Sequence, residues 1–163
     1  MPSVLFVCTG NLCRSPLAEY LFRQQLHLQG LVDGWQVGSA GTWTRDGMSI
    51  QPFIQELLLP FNAELDEHRT RTVTKELIVG YDVIVVMEKG QKEALVHEFP
   101  SSEKRVHMLT ALASLFPYDI KDPVMQDAET ANEILTDMQE CLRLAFETIV
   151  RTARENGQNR TTQ

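Results

Sequence analysis

Two short, uninterrupted apolar runs constrain the fold of this 163-residue chain more than any other feature: Val4-Leu5-Phe6-Val7-Cys8 and Val83-Ile84-Val85-Val86-Met87. A strand with one wet face alternates apolar and polar residues, whereas a strand buried on both faces reads as a continuous apolar run. Both runs fall far short of the ~18 apolar residues that suggest a membrane span, so no membrane association is expected. They predict strands at Ser3–Val7 and Asp82–Met87, and Trp35–Ser39 and Arg105–Leu109 are the two shorter candidates that make four.

Helical patterns separate these strands. Leu17, Leu21, Phe22 and Leu26 recur at helical spacing within Pro16–Gln29, with Pro16 suited to a first turn and Gly30 to a stop. Gln51–Leu59, ending at Pro60, is a second helix, and Thr74–Val79 and Gln91–Phe99 are shorter ones. The last and longest runs from Ala128 to about Glu155. Its apolar face carries Ile134, Met138, Cys141, Leu142, Ala145, Ile149 and Val150. Strands alternating with helices predict an α/β fold, a parallel sheet of these four strands with helices on both faces. With no repeat, linker or composition break, residues 1–155 are expected to form a single domain and residues 156–163 a flexible tail.

Composition narrows the function classes. The 15 Lys+Arg against 22 Asp+Glu give a net charge of −7, which disfavours nucleic acid as a partner. Three cysteines cannot all pair and no signal segment precedes them, so a reducing, cytoplasmic location is expected. The four histidines and three cysteines lack the close paired spacing of zinc ligands, so no metal site is expected.

The segment Cys8-Thr9-Gly10-Asn11-Leu12-Cys13-Arg14-Ser15-Pro16 lies between the first strand and the first helix. Backbone N–H groups in such a turn, together with a helix N-terminus, form a concave site for a tetrahedral anion. Gly10 and Asn11 tolerate the left-handed backbone angles that the curvature needs. Arg14 brings a planar fork of donors suited to two phosphate oxygens. Cys8 at the bottom of such a cup should ionise more readily than a free thiol of pKa ~8.5, because cationic and helix-end surroundings bring thiols to roughly 3.5–7.5. Ser15 can donate a hydrogen bond to that sulfur. A cysteine closing an apolar strand is by itself more often a buried hydrophobe. The chance of Arg six positions after one of three cysteines, followed by Ser or Thr, is however on the order of 2%.

On these residues the chain resembles the low-molecular-weight protein tyrosine phosphatases, whose signature is a cysteine, five residues and then Arg-Ser near the N-terminus. The likeness continues through Ser39-Ala40-Gly41-Thr42-Trp43, His68-Arg69-Thr70-Arg71, Tyr81-Asp82 and Asp122-Pro123, and stops at about Asn156. The resemblance implies a four-stranded parallel sheet, a cysteinyl-phosphate intermediate and neither metal nor organic cofactor. It makes Cys8 the nucleophile, Arg14 the group that stabilises the phosphoryl oxygens and Asp122 the acid, with Asp119 and Asp127 as nearby alternatives. Thr9, Gly10, Asn11, Leu12, Cys13, Arg14, Ser15 and Trp43 would bind substrate. Asn11, Ser15, Ser39 and His68 would hold the loop in shape, and Cys13 would form a protective, reversible disulfide with Cys8. Cys141, on the apolar face of the last helix, reads as core.

The resemblance also bears on substrate. Bacterial protein-arginine phosphatases of this fold carry Thr where Leu12 stands, and a leucine offers an apolar wall to an aromatic ring instead. The chain departs from the family pattern after Asp122-Pro123, where Val124-Met125 replace the usual aromatic residues. Arsenate reductases share the loop but need a further cysteine pair downstream, and none lies between Cys13 and Cys141. A phosphopeptide-binding module would have no use for Cys8, Arg14 and Asp122 together. The expected activity is therefore phosphotyrosine hydrolysis, with protein-arginine phosphatase as the alternative. The expected partners are phosphotyrosine-containing proteins, a bacterial tyrosine kinase among them.

Overall fold

The computed structural model describes residues 1–31, 33–114 and 116–161. β1 (Ser3–Cys8) leads into α1 (Arg14–Leu28), followed by β2 (Gln36–Gly41), α2 (Pro52–Leu58) and α3 (Lys75–Gly80). Then come β3 (Val83–Val86), α4 (Lys89–Glu98), β4 (Val106–Met108), α5 (Leu109–Leu112) and α6 (Ala128–Thr161). The four strands pair in parallel in the order β2-β1-β3-β4. This is the α/β fold expected from the sequence. The chain leaves β1 to one side for β2 and returns past it to the other side for β3. Such a reversal opens a crevice beyond the carboxyl end of β1, where this fold class binds ligands.

The unbroken apolar runs follow from burial on both faces. Val4, Phe6 and Cys8 of β1 and Val83 and Val85 of β3 pack into one core with Leu17 and Phe22 of α1 and Met138 and Leu142 of α6. Leu5, Val7, Ile84 and Val86 pack into a second core with Ile78 of α3 and Leu95 of α4. Neither face of the central strands meets water, so both are apolar apart from Ser3, whose hydroxyl is bonded to Asp82. Among the described residues, no helix is long and apolar enough to cross a membrane.

Several boundaries differ from expectation. The second strand begins at Gln36 rather than Trp35 and runs on to Gly41. α5 and the 3-10 turns Pro100–Arg105 and Pro123–Met125 carry no sequence pattern strong enough to announce them. On α6 Leu135 and Phe146 join the buried Met138, Cys141, Leu142, Ala145, Ile149 and Val150, while Ile134 is only half-buried. The expected flexible tail is, up to Thr161, the last turns of α6, and residues 162–163 lie outside the described residues. The reason is tertiary. Asn156 Nδ2 donates to the carbonyl of Asp82 at 3.0 Å, and Arg160 Nη1 donates to Asp82 Oδ1 at 3.0 Å. These contacts hold a segment whose local composition favours fraying.

Asp82 is 4% exposed and joins three parts of the chain. Its Oδ2 accepts from Ser3 N at 3.0 Å and Ser3 Oγ at 2.9 Å, while its own N–H donates to Ser3 Oγ at 2.9 Å. Removing a buried carboxylate strands its donors, so Asp82→Ala should lower unfolding free energy by about 3 kcal/mol. Arg160 is 42% exposed, and Arg160→Ala should cost no more than about 1 kcal/mol. Urea unfolding of both variants, read as midpoint shifts at constant slope, checks the difference.

Candidate active site

β1 ends at Cys8 and α1 starts at Arg14, so the loop between them sits at the crevice. Asn11 adopts φ 55°, the left-handed region expected for it. Its side chain holds the curve on both sides. Asn11 Nδ2 donates to Ser15 Oγ and Ser39 Oγ, each at 3.0 Å, and Asn11 Oδ1 accepts from Arg71 N at 3.0 Å. His68 Nε2 lies 2.8 Å from Asn11 O, and because a carbonyl only accepts, that ring nitrogen carries the proton. Ser15 Oγ accepts from Asn11, which leaves its own proton for Cys8 Sγ at 3.0 Å, nearer than the other acceptor, Ala40 O at 3.4 Å.

β2 closes against the loop from one side. Thr42 N donates to Cys8 O at 2.9 Å and Trp43 N to Thr9 O at 3.0 Å. A Cβ on Gly41 would stand 2.6 Å from Thr9 O and 3.2 Å from Asn11 Cβ, so the approach requires glycine. Among the described residues, the backbone N–H groups of Gly10 through Ser15 donate to no protein acceptor. Buried donors of this kind are normally paired, and their convergence with a guanidinium marks an anion site.

Arg14, 3% exposed, points its Nη1 at Glu88 Oε1 and at Ile120 O, the latter at 2.6 Å. Its Nε and Nη2 have no acceptor among the described residues, which keeps two donor nitrogens for an anion. Gln91 ties the same corner together. Its Nε2 donates to Thr9 Oγ1 at 3.1 Å and Glu88 Oε1 at 3.3 Å, and its Oε1 accepts from Met87 N at 2.9 Å and Glu88 N at 3.0 Å.

The comparisons with known proteins agree with this geometry. Residues 3–155 match the family described as low molecular weight phosphotyrosine protein phosphatase. The chain belongs to this family. The low molecular weight protein-tyrosine phosphatase A of Mycobacterium bovis is 31% identical over 142 residues, covering 85% of this chain and 86% of that protein. The protein-arginine-phosphatase of Bacillus subtilis is 29% identical over 140 residues, covering 86% and 91%. The crystal structure of the low molecular weight protein tyrosine phosphatase from T. tengcongensis superposes with a TM-score of 0.81 at 26% identity, over 91% of this chain and 99% of that one. This phosphatase is thus an enzyme of the cysteine-dependent hydrolase class.

Of the residues singled out in this phosphatase from sequence, Cys8, Thr9, Gly10, Asn11, Leu12, Cys13, Arg14 and Ser15 form the loop, and Ser39 and His68 bond to it directly. Trp43 stands at its rim with the side chain 85% exposed. Asp122 caps the Pro123–Met125 turn, its Oδ1 accepting from Val124 N at 3.0 Å, and it is near enough to Cys13 for its charge to act on that thiol. The two alternative acids are engaged elsewhere. Asp119 Oδ1 accepts from Lys89 N at 2.8 Å, and Asp127 caps α6 through Thr130 N at 2.9 Å, which holds its carboxyl below the usual range. Val124 packs partly against the core and Met125 is 83% exposed, so one replacement of the family's aromatics turns inward and the other outward. Cys141 is buried and its Sγ lies 3.3 Å from Tyr118 Oη. Glu88 and Gln91 carry no local signal that they reach the loop, and Arg71, part of the His68-Arg69-Thr70-Arg71 likeness, carries none that it bonds to Asn11.

All three cysteines are free thiols. Burial, and secondarily the charges of Cys8 and Asp122, push Cys13 up to about 12 against the lowering effect of Arg14. Burial thus suppresses the Cys13 thiolate across the neutral pH range. Iodoacetate between pH 6 and 9 should therefore leave Cys13 unmodified, as peptide mass spectrometry can check. Asn11→Ala removes the three side-chain bonds to Ser15, Ser39 and Arg71, and kcat/KM for an aryl phosphate should fall by about 10²-fold, the scale of a small misplacement of reacting groups.

Proposed function

We propose that the chain is a cytoplasmic protein tyrosine phosphatase working by two-step covalent transfer. Cys8 Sγ attacks phosphorus in line with the phenolic oxygen, so that the S–P bond forms as the P–O bond breaks. Asp122, protonated, gives its proton to the departing phenolate. Water then attacks the cysteinyl phosphate while Asp122 takes a proton from it, and the sulfur leaves as thiolate, stabilised by the Ser15 hydroxyl. Arg14 and the amides of Gly10 through Ser15 meet the equatorial oxygens, where charge shifts during both steps.

The unpaired amides beside Arg14 carry this reading, because they are the observation that demands a tetrahedral anion. Leu12, half-buried and packed partly against the core, favours an aryl ester. Trp43 would add a second wall, and phosphotyrosine-bearing proteins, including a tyrosine kinase, fit as substrates. The likeness to protein-arginine phosphatases supports a second reading, phosphoarginine, in which a phosphoramidate takes the same loop. Arginine's polar guanidinium would then face Leu12, which offers it no hydrogen bond.

Turnover of phosphotyrosine, phosphoarginine and phosphoserine peptides tests this. The wild type should prefer phosphotyrosine. Cys8→Ser should abolish turnover while retaining phosphate binding, and Asp122→Ala should lower kcat for phosphotyrosine by about 10²–10⁴-fold, the range of a lost general acid. Preference for phosphoarginine, or a larger loss with Asp119→Ala than with Asp122→Ala, would overturn the substrate or the acid assignment respectively.

A further inference from the structure

Trp43 has little packing of its own to orient it, since its side chain is 85% exposed. Its position therefore comes from the backbone of the loop after β2. That backbone is bonded to two things: the phosphate loop at its start and the segment Thr70-Arg71-Thr72 at its tip. At the start, Thr42 N and Trp43 N donate to Cys8 O and Thr9 O. At the tip, Gly47 N donates to Thr70 O at 2.8 Å and Thr70 N to Met48 O at 2.9 Å. Thr70 Oγ1 accepts from Met48 N at 2.9 Å and donates to Arg45 O at 2.5 Å. Thr72 Oγ1 donates to Thr44 O at 3.1 Å, and Asp46 Oδ1 accepts from Thr72 N at 2.7 Å.

Between the two threonines, Arg71 faces the other way. Its N–H donates to Asn11 Oδ1, its carbonyl accepts from Gly41 N at 2.8 Å, and its guanidinium donates to Ser39 O at 2.7 Å and to Tyr81 Oη at 3.3 Å. Alternate residues of an extended segment point to opposite sides, so three residues grip the phosphate loop with one side and the Trp43 loop with the other. The separation between the anion cup and the tryptophan is thereby held by a rigid spacer.

We propose that Thr70-Arg71-Thr72 sets the depth of the aryl pocket and that Asp46, by clamping the Trp43 loop onto it, is a positioning residue for the substrate's ring. This rests on the reading above that Trp43 flanks that ring. Asp46 is exposed and touches neither cup nor substrate, so it acts through Trp43. Its bond to Thr72 N–H is charge-assisted, but only an acceptor oxygen is needed, which asparagine also supplies.

The test compares wild type with Asp46→Ala, Asp46→Asn, Trp43→Ala and the Asp46→Ala/Trp43→Ala double variant. Each is assayed for KM and kcat on a phosphotyrosine peptide and for competitive inhibition by inorganic phosphate, which occupies the cup alone. Asp46→Ala should raise KM about five- to tenfold, the scale of a lost ring contact, with kcat and the phosphate inhibition constant within about twofold of wild type. Asp46→Asn should restore the wild-type KM. The double variant should be no worse than Trp43→Ala, since both changes remove one interaction. An unchanged KM in Asp46→Ala, effects that add in the double variant, or a parallel weakening of phosphate would each overturn the clamp. So would an Asp46→Ala protein that fails to fold while Asp46→Asn behaves no better in KM. Wild-type enzyme that turns over no phosphotyrosine would instead overturn the functional reading on which the clamp rests.

Discussion

Everything at this site depends on a curved loop that withholds its amides from the protein and is kept open by the side chain of Asn11. A loop whose six N–H groups find no acceptor among the described residues is held through its backbone only by bonds to its carbonyls, and a left-handed residue in its middle costs further. Asn11 supplies the missing restraint by bonding to Ser15 on α1, Ser39 on β2 and Arg71 beyond it. Each of those partners belongs to a different part of the chain. The loop is therefore as rigid as the sheet around it, and its donors are organised before any anion arrives, which is the condition for electrostatic stabilisation of a transition state.

The sheet topology explains where this loop can exist. Only at the carboxyl end of β1 does the order of connections reverse, and only there can β2, β3 and the α5–α6 connection each contribute a wall without crossing. β2 comes in through Gly41, β3 through Glu88 at its exit, and the later connection through the Ile120 carbonyl and Asp122. At the opposite end of the sheet Asp82 ties β1, β3 and the last turns of α6 together. The two ends differ: one presents, beside Arg14, amides without a protein acceptor among the described residues, the other pairs the buried Asp82 carboxylate with Ser3 and Arg160.

The legible part of this protein was the part written in short-range pattern. Strands buried on both faces show as apolar runs, and Cys8, Asn11, Arg14 and Ser15 stand within eight residues of one another in a single strand-to-helix loop. Ser39, His68 and Asp122 came only from family resemblance, since a lone serine, histidine or aspartate has ordinary structural uses. Glu88, Gln91 and Asp46 carry no sequence signal, and Arg71 stands out only as part of the family likeness, with no role attached. The contacts that tie them to distant segments run from 26 residues, for Asp46 with Thr72, to 82, for Gln91 with Thr9, and no spacing rule connects such pairs. The course of α6 past Glu155 failed for a related reason: Gly157 and its polar neighbours speak for fraying locally, while Asp82 answers from 74 to 78 residues away.

Transfer of the phosphoryl group through Cys8, as a cysteinyl phosphate, is the step on which the proposed chemistry depends. Rapid acid quenching during turnover of a phosphotyrosine peptide, followed by mass spectrometry of the loop peptide, looks for that species directly. Phosphate bonded to sulfur at Cys8, appearing and decaying at rates that match turnover, is the result the geometry requires. Turnover with the phosphoryl group on another side chain, or passing straight to water with none trapped on Cys8 at any quench time, would contradict it.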